Sequence, residues 1–293
     1  MQGQLAWLYA IQSIHTPALD SFFRMVTQLG DPTFYTAVLL ILFWCVSPAL
    51  TLRLVTVFLF SIESNIWIKE TVQEPRPLDF PGILSIGKAT GYAFPSGHAQ
   101  GNITFWGFLW YLTRRRWVLV VGIVLTLLVS FSRLYLGVHW PWDVIGGILI
   151  GGCFVVLGAL ALRYWPIVRQ WGWKKHGIWA VITIGAAVAH RSHDSLFYMG
   201  ILLALGEAYW AERRTTHFVA SGKPWQYVGR VLLGVAGIVI LYVGLYPLLP
   251  DSPFVPFLEG LLLGAWGAGG APWLFVRLRL AESGERGGAV RDR

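Results

Sequence analysis

Long apolar stretches separated by short polar segments run along most of the chain. A helix that crosses a bilayer needs roughly 17–25 mostly apolar residues. Because lipid offers no hydrogen bonds, each crossing segment must satisfy its own backbone, which favours helices. We predict nine spans: Thr33–Pro48, Leu52–Ile68, His98–Leu112, Trp117–Gly137, Val144–Tyr164, Ile178–His190, Leu196–Ala211, Tyr227–Leu248 and Val255–Val276.

The first 30 residues are apolar but interrupted by polar side chains and a proline. His15, Pro17, Asp20 and Arg24 leave no run long enough to cross a bilayer. We therefore predict a pair of amphipathic helices at the membrane interface, with a tenth span as the alternative.

Composition supports a membrane protein. Only 13% of the 293 residues are charged, against about 25% in soluble domains, while 55% are hydrophobic and mean hydropathy is +0.57. This hydrophobicity excludes a disordered chain, and the presence of only two cysteines argues against a disulfide-stapled secreted domain. The predicted fold class is an all-α polytopic transmembrane bundle.

The basic residues are distributed unequally between alternate loops. The predicted cytoplasmic loops hold 17 of the 23 Lys and Arg residues. This bias accounts for the net charge of +8 without nucleic acid as a partner. The larger set is Arg53, Arg114, Arg115, Arg116, Arg163, Arg169, Lys174, Lys175, Arg213, Arg214, Lys223, Arg230, Arg277, Arg279, Arg286, Arg291 and Arg293. The smaller, extracytoplasmic set is Arg24, Lys69, Arg76, Lys88, Arg133 and Arg191.

Three of these exceptional cations belong to polar clusters at the extracytoplasmic ends of predicted spans. Since neighbouring helices bring like ends together, we predict that the clusters form one site. They are Lys69 with Arg76-Pro77, then Pro95-Ser96-Gly97-His98, then Ser132-Arg133 with His139 and Asp143.

The residue types in the clusters indicate phosphate chemistry. Lys69, Arg76 and Arg133 supply cations, and guanidinium groups match the geometry of phosphate oxygens. Ser96 and Gly97 begin a predicted helix, where free backbone N–H groups and the helix dipole favour an anion.

The histidines supply reactive groups to the same site. His139 and Asp143 are four residues apart, a spacing that lets the carboxylate orient the imidazole of a nucleophile. His98, on another helix, is the candidate general acid for a leaving oxygen. No Cys/His cluster has the spacing of metal ligands, so we expect neither a metal nor another cofactor.

The three clusters together resemble the signature of the type 2 phosphatidic acid phosphatase superfamily. All eleven signature positions match in order and spacing, as Lys-x6-Arg-Pro, Pro-Ser-Gly-His and Ser-Arg-x5-His-x3-Asp. The resemblance implies a metal-independent lipid phosphatase with a helical core. It also implies that His139 becomes a phosphohistidine, that Asp143 orients it and that His98 protonates the departing lipid oxygen. Lys69, Arg76, Ser96, Gly97 and Arg133 would bind the phosphoryl group.

Two polar residues inside the second predicted span precede Lys69. An intramembrane carboxylate such as Glu63 should face the bundle interior or a polar cavity. We predict that Glu63 and Asn65 support Lys69 or line a substrate entrance, with a purely structural hydrogen bond as the alternative. By contrast, Gly147-x3-Gly151 and Gly260-x3-Gly264 are predicted helix-packing contacts.

The resemblance covers roughly residues 20–163, which leaves the later spans unassigned. We predict interfacial helices over 1–30, a phosphatase core of five to six helices over 31–164, and a cytoplasmic linker over 165–177. Four more spans over 178–280 and a disordered tail over 281–293 would follow. The segment Leu29–Tyr35 also resembles sphingosine-1-phosphate phosphatases.

The leading functional hypothesis is a cell-membrane lipid phosphatase that acts on a phosphomonoester or diphosphate at the extracytoplasmic face. Phosphatidate, phosphatidylglycerol phosphate, polyprenyl diphosphate and long-chain-base phosphate are the candidate substrates. One alternative is a lipid-to-lipid phosphotransferase that uses the same site. Another is a lipid- or sugar-phosphate transporter with a coupled phosphatase site. The later spans are also a candidate homodimer surface.

Overall fold

The computed structural model describes residues 2–87, 89–169, 172–245, 248 and 252–284. This part of the chain is almost entirely helical, which confirms the predicted all-α class. Its α-helices are α1 (Gln2–Gln12), α2 (Pro17–Gln28), α3 (Pro32–Cys45), α4 (Pro48–Val72), α5 (Gly97–Thr113), α6 (Arg116–Tyr135), α7 (Pro141–Arg169), α8 (Gly172–His190), α9 (His193–Thr215), α10 (Pro224–Ile240), α11 (Val255–Ala265) and α12 (Ala271–Arg277).

Short elements complete the described chain. A 3₁₀ turn occupies Pro77–Asp79, and π-helical turns occupy Leu241–Leu245 and Trp266–Gly270. Two short strands, β1 (Phe218–Val219) and β2 (Glu282–Ser283), pair antiparallel.

Each predicted span overlaps helical structure, but the helices differ in their fitness to cross a membrane. Among the described residues, four segments are individually long and apolar enough: Pro48–Val72, Arg116–Tyr135, Pro141–Tyr164 and Pro224–Gly244. Helices α2 and α3 make a fifth if this pair, bent by 47°, is one broken span. The protein is therefore a multi-pass membrane protein, and the count of nine spans stays a prediction.

The chain divides into two compact units. Unit 1 comprises residues 1–36 and 56–167, and unit 2 comprises residues 37–55 and 168–293. This division differs from the predicted boundaries, because the end of α3 and the start of α4 group with the later helices. Local hydrophobicity does not reveal which partners an apolar helix will have.

Unit 1 is built around α5, α6 and α7. At Gly147 of α7, an added Cβ would lie 2.6 Å from the Ser96 carbonyl oxygen, and at Gly151 it would lie 2.6 Å from that of Gln100. This proximity confirms the predicted packing role of the glycine pair. The predicted interfacial helices α1 and α2 also contribute buried side chains, since Leu8 is fully buried and Phe23 and Val26 join a core cluster with Val129 of α6.

Unit 2 has its own helix-packing contacts. An added Cβ at Gly264 would lie 2.7 Å from the Ile201 carbonyl oxygen, and one at Gly260 would collide with the Phe197 carbonyl, so α11 packs closely on α9. Its buried apolar cluster includes Trp44 and Phe275. The second predicted glycine pair is therefore also a packing contact.

Arg230, which the sequence places with the cytoplasmic basic residues, is a fully buried residue of α10. Its guanidinium donates to the carbonyls of Trp44 (3.0 Å), Ser221 (2.9 Å) and Leu280 (2.8 Å), and also to that of Ala220. A guanidinium that meets several carbonyls can remain buried, so this cation organises unit 2 and carries no information about orientation.

Two segments outside the predicted spans contain regular structure. The linker over 165–177 is largely helical, because α7 continues to Arg169 and α8 begins at Gly172. The tail predicted to be disordered from residue 281 is ordered at its start, since β2 pairs with β1 and Ala281 is buried. Residues 285–293, residues 170 and 171, and Lys88 lie outside the described residues.

Candidate active site

The ends of four helices and their connecting loops position the predicted site residues within unit 1. Lys69 lies in the last turn of α4, and Ser96 and Gly97 begin α5. Arg133 lies in the last turn of α6, His139 in the following loop and Asp143 in the first turn of α7. The Ser96 N–H donates to the Asp143 backbone carbonyl at 2.8 Å, which fixes the start of α5 against the start of α7.

His139 and Asp143 form a buried pair. Their side chains are 2% and 0% exposed, and His139 Nδ1 lies 3.0 Å from Asp143 Oδ2. The Trp140 N–H also donates to this oxygen, at 2.7 Å, so the carboxylate is held by the turn that precedes α7. An acceptor at Nδ1 assigns the proton to that nitrogen and leaves a lone pair on Nε2.

Arg76 lies against the other nitrogen of His139. Its Nη1 is 3.0 Å from His139 Nε2 and donates to the Val138 carbonyl at 2.8 Å. Burial, followed by the positive charges of Arg133, Arg76 and Lys69, holds the pKa of His139 well below its usual range. The imidazole is therefore neutral near pH 7, as a nucleophile requires.

Lys69 and Arg76 also hold the loop before α5. Lys69 Nζ donates to the carbonyls of Tyr92 (2.6 Å) and Ala93 (3.1 Å). Arg76 Nε and Nη2 each donate, at 2.9 Å, to the carbonyls of Gly91 and Thr90. Neutral backbone carbonyls therefore fix both side chains next to the site.

Three buried polar atoms of the site residues have no hydrogen-bond partner: the donors Ser96 Oγ and Arg133 Nε, and the acceptor Asp143 Oδ1. Ser96 is fully buried and Arg133 is 5% exposed. Another nitrogen of Arg133, Nη1, does have a partner, since it donates to Thr27 Oγ1 at 2.7 Å. Buried donors without partners are costly, and an anion with several oxygens would satisfy them.

His98 contacts Asp31, a residue outside the three-part signature. Its Nε2 lies 2.9 Å from Asp31 Oδ1, in the turn between α2 and α3. An added Cβ at Gly30 would lie 2.7 Å from His98 Cδ2, so glycine permits the close approach of this turn. The segment that resembled sphingosine-1-phosphate phosphatases contains both Gly30 and Asp31, and was the available signal.

Asn65 braces the start of α5. Its amide donates to the Pro95 carbonyl at 3.2 Å and to Gln100 Oε1 at 2.8 Å. A Cβ at Gly97 would lie 3.2 Å from Asn65 Oδ1, so the two groups are close neighbours. Glu63 is also buried, at 9% exposure. The roles of both residues in catalysis stay predictions.

An apolar groove opens beside the site. Its volume is about 490 Å³. Phe94 and Trp142 in its wall are the chain neighbours of Pro95 and Asp143. The other lining residues are Gln4, Val72, Glu74, Ile145, Gly146 and Leu149. Across the described part of the chain, no group of three or more His, Cys, Asp or Glu side chains is placed to hold a metal ion.

Family models match two long segments of the chain. The PAP2 superfamily model matches residues 45–167, and the model described as PAP2 superfamily phosphatase, transmembrane extension, matches residues 196–283. A crystal structure of a transmembrane PAP2 type phosphatidylglycerolphosphate phosphatase from Bacillus subtilis has a similar fold. Its TM-score is 0.50 at 24% identity, over 55% of this chain and 85% of that one.

The chain matches only part of the length of its named relatives. An undecaprenyl-diphosphatase of Sulfolobus acidocaldarius is 37% identical over 40% of this chain and 58% of its own. Sphingosine-1-phosphate phosphatase 2 of Mus musculus is 31% identical over 50% of this chain and 42% of its own. The two family models together match more than half of the sequence and include all eleven signature positions. The chain belongs to the PAP2 superfamily.

Proposed function

We propose that this protein is an integral-membrane lipid phosphatase that hydrolyses a phosphomonoester or diphosphate through a phosphohistidine on His139. The observation that carries the proposal is the orientation of His139. Asp143 binds Nδ1 at 3.0 Å, and the lone pair of Nε2 faces the guanidinium of Arg76 at 3.0 Å. A phosphoryl group bound by that guanidinium would present phosphorus to a neutral, oriented nitrogen.

In the first half-reaction, His139 Nε2 forms a bond to phosphorus as the bond to the lipid oxygen breaks. Asp143 stabilises the positive charge that develops on the imidazole. Lys69, Arg76 and Arg133, with the Ser96 hydroxyl and the Gly97 N–H, stabilise the charge on the equatorial oxygens. His98 gives its proton to the leaving lipid oxygen.

In the second half-reaction, water attacks the phosphohistidine. His98 takes a proton from this water, the bond between phosphorus and Nε2 breaks, and inorganic phosphate leaves. The cycle restores neutral His139 and protonated His98, so the residues of the site supply all of the acid–base chemistry and no metal enters a step.

A lipid substrate is supported by the groove of about 490 Å³, because two of its lining residues, Phe94 and Trp142, directly precede Pro95 and Asp143 in the chain. The names of the two relatives concern a polyprenyl diphosphate and a long-chain-base phosphate. We propose a substrate from this range, which also includes phosphatidate and phosphatidylglycerol phosphate. The excess of basic residues on the opposite loops supports a cell-membrane location with an extracytoplasmic site.

Phosphate release from these lipids, measured in detergent with excess EDTA, tests the proposal. We expect full activity of the wild type with EDTA and at least about a 10³-fold loss in His139→Ala. His193→Ala, which changes a histidine whose side chain is 70% exposed, is the matched control and should behave as wild type.

Three outcomes would contradict specific parts of the proposal. Wild-type activity in His139→Ala would exclude the nucleophile, and loss of activity with EDTA would exclude the metal-free reaction. Transfer of phosphate to an added lipid alcohol, without release of inorganic phosphate, would show a phosphotransferase.

A further inference from the structure

We propose that Asp31 is a positioning residue for the general acid His98, and that the turn between α2 and α3 is an integral part of the active site. This inference rests on the proposed phosphatase function. It assigns a role to a carboxylate that lies outside both the three-part signature and the matched range 45–167.

The contact between Asp31 and His98 is direct. His98 Nε2 lies 2.9 Å from Asp31 Oδ1, and the two side chains are 19% and 42% exposed. The backbone of Asp31 is fixed as well, because its carbonyl accepts from the N–H groups of Phe34 (3.1 Å) and Tyr35 (3.3 Å) in the first turn of α3. The carboxylate is therefore held at the end of a helix rather than on a free loop.

Two further contacts bring this turn and the end of α2 to the site. An added Cβ at Gly30 would lie 2.7 Å from His98 Cδ2 and 2.8 Å from Val129 Cγ1, so only a residue without a side chain allows this approach. Thr27, in the last turn of α2, accepts from Arg133 Nη1 through its Oγ1 at 2.7 Å. The turn therefore contacts the candidate acid, and the helix end that precedes the turn contacts one of the candidate phosphate-binding cations.

The charges around His98 explain why an acid at this position needs a carboxylate. Arg133 of α6 and Arg76 of the loop after α4 interact with its imidazole, and so does His139 of the loop before α7. The two guanidinium groups repel a positive charge on His98. Asp31 is the hydrogen-bonded carboxylate among them, and it favours the imidazolium that donates a proton.

The proton balance follows from the geometry. With Nε2–H directed at Asp31, the proton that leaves imidazolium departs from Nδ1 and passes to the lipid oxygen. The neutral ring keeps its Nε2–H and its hydrogen bond to Asp31. Nδ1 then accepts a proton from the water that attacks the phosphohistidine, and no proton passes through Asp31.

The test compares Asp31→Asn with wild type on two substrates, a lipid alkyl phosphate and p-nitrophenyl phosphate. The alkyl oxygen needs a proton in order to leave, whereas p-nitrophenolate leaves without one. We expect kcat/KM for the alkyl phosphate to fall at least about tenfold and that for the aryl phosphate to change much less. The alkaline limb of the alkyl profile should move to lower pH by about one unit.

The ratio of the two substrates does not depend on how much of the variant is folded, so it also reports on a poorly folded sample. Asp31→Glu, which keeps a carboxylate, should recover part of the alkyl activity. Asp20→Asn is the matched control, because Asp20 of α2 also pairs with a histidine, His15, at 3.1 Å. It should leave both the ratio and the pH profile unchanged.

Equal losses on both substrates, or an alkaline limb that stays in place in Asp31→Asn, would overturn the role of Asp31. Neither result would affect the phosphohistidine proposal, which depends on His139→Ala. Conversely, wild-type activity in His139→Ala would remove the phosphatase mechanism whatever the behaviour of the Asp31 variants.

Discussion

His139 is a buried histidine with a carboxylate on one nitrogen and a guanidinium on the other. A cation next to an imidazole opposes its protonation, and burial does the same. The proposed mechanism therefore gives Arg76 two tasks, binding the phosphoryl group and keeping the nucleophile neutral. The signature explains why an arginine stands at this position, but only the structure shows its contact with Nε2.

The second task gives a prediction for the Arg76→Gln variant. His139 reacts only when neutral, and its lowered pKa keeps it neutral as the pH falls below the usual histidine value of about 6.5. Loss of the nearby charge should raise this pKa, so the acidic limb of kcat/KM should move to higher pH. The rate at the optimum should fall by about 10²-fold or more, since a donor to the transition state is lost.

Profiles of kcat/KM against pH on one lipid phosphate check this, because the ionisation of the substrate is common to both enzymes. Arg24→Gln is the control, since Arg24 is exposed on α2. An acidic limb in Arg76→Gln at or below that of the wild type would contradict the proposed electrostatic role.

At the scale of elements, the site depends on how closely α5 approaches α7. Gly147 faces the carbonyl of Ser96, and Ala99 Cβ would lie 3.2 Å from an added Cβ there. The same contact sets the position of the helix start that carries the serine hydroxyl and the Gly97 N–H. Helix packing and the proposed phosphate binding therefore depend on the same atoms.

Gly147→Ala and Gly152→Ala should behave differently although both lie on α7. A Cβ at Gly147 must displace the backbone of Ser96, whereas a Cβ at Gly152 meets nothing within 4 Å. We expect Gly147→Ala to destabilise the protein by about 1–3 kcal/mol and to lower activity at least about tenfold. Gly152→Ala should be neutral or stabilising by up to about 1 kcal/mol, because alanine favours the helix.

Thermal unfolding in detergent and phosphate release measure these two effects. Unchanged stability and activity in Gly147→Ala would show that α5 and α7 do not pack as described. The Gly152→Ala control separates this contact from any general sensitivity of α7.

At the scale of the whole molecule, a basic residue indicates the orientation of the chain in the membrane only if the packed fold does not itself need that residue. Arg230 is fully buried, and its contacts with four carbonyls in unit 2 explain its presence without reference to topology. The cluster Arg114–Arg116, where α5 ends and α6 begins, is exposed, so it is a better indicator of orientation. It lies at the opposite end of α5 from Ser96 and Gly97.

Cysteine labelling in intact cells checks the proposed sidedness. Cys45 and Cys153 are first replaced by alanine, and single cysteines are then placed at Ser85 and Arg115, both exposed positions of unit 1. We expect Ser85→Cys to react with a membrane-impermeant maleimide in intact cells and Arg115→Cys to react only after lysis. The reverse pattern would place the candidate site on the cytoplasmic face.

The sequence by itself determined the fold class and the family of the protein, and it predicted the residues of the candidate site. Hydrophobicity over about 20 residues predicts membrane helices, and the spacing within each of the three clusters defines the signature. Both can be read from residues that are near one another in the chain. The same local information predicted that the glycine pairs of α7 and α11 are contacts, since a missing side chain permits close approach in any partner.

Only the tertiary structure decided which distant residues meet. The pairing of Asp31 with His98, the burial of Arg230, the grouping of residues 37–55 with unit 2 and the strand pair of β1 and β2 all join segments far apart in the chain. Apolar helices are similar to one another on their surfaces, so hydrophobicity does not specify their partners. The partners of a helix are selected by the complementary shapes of the packed side chains and by hydrogen bonds to buried polar groups. Both exist only once the helices are packed.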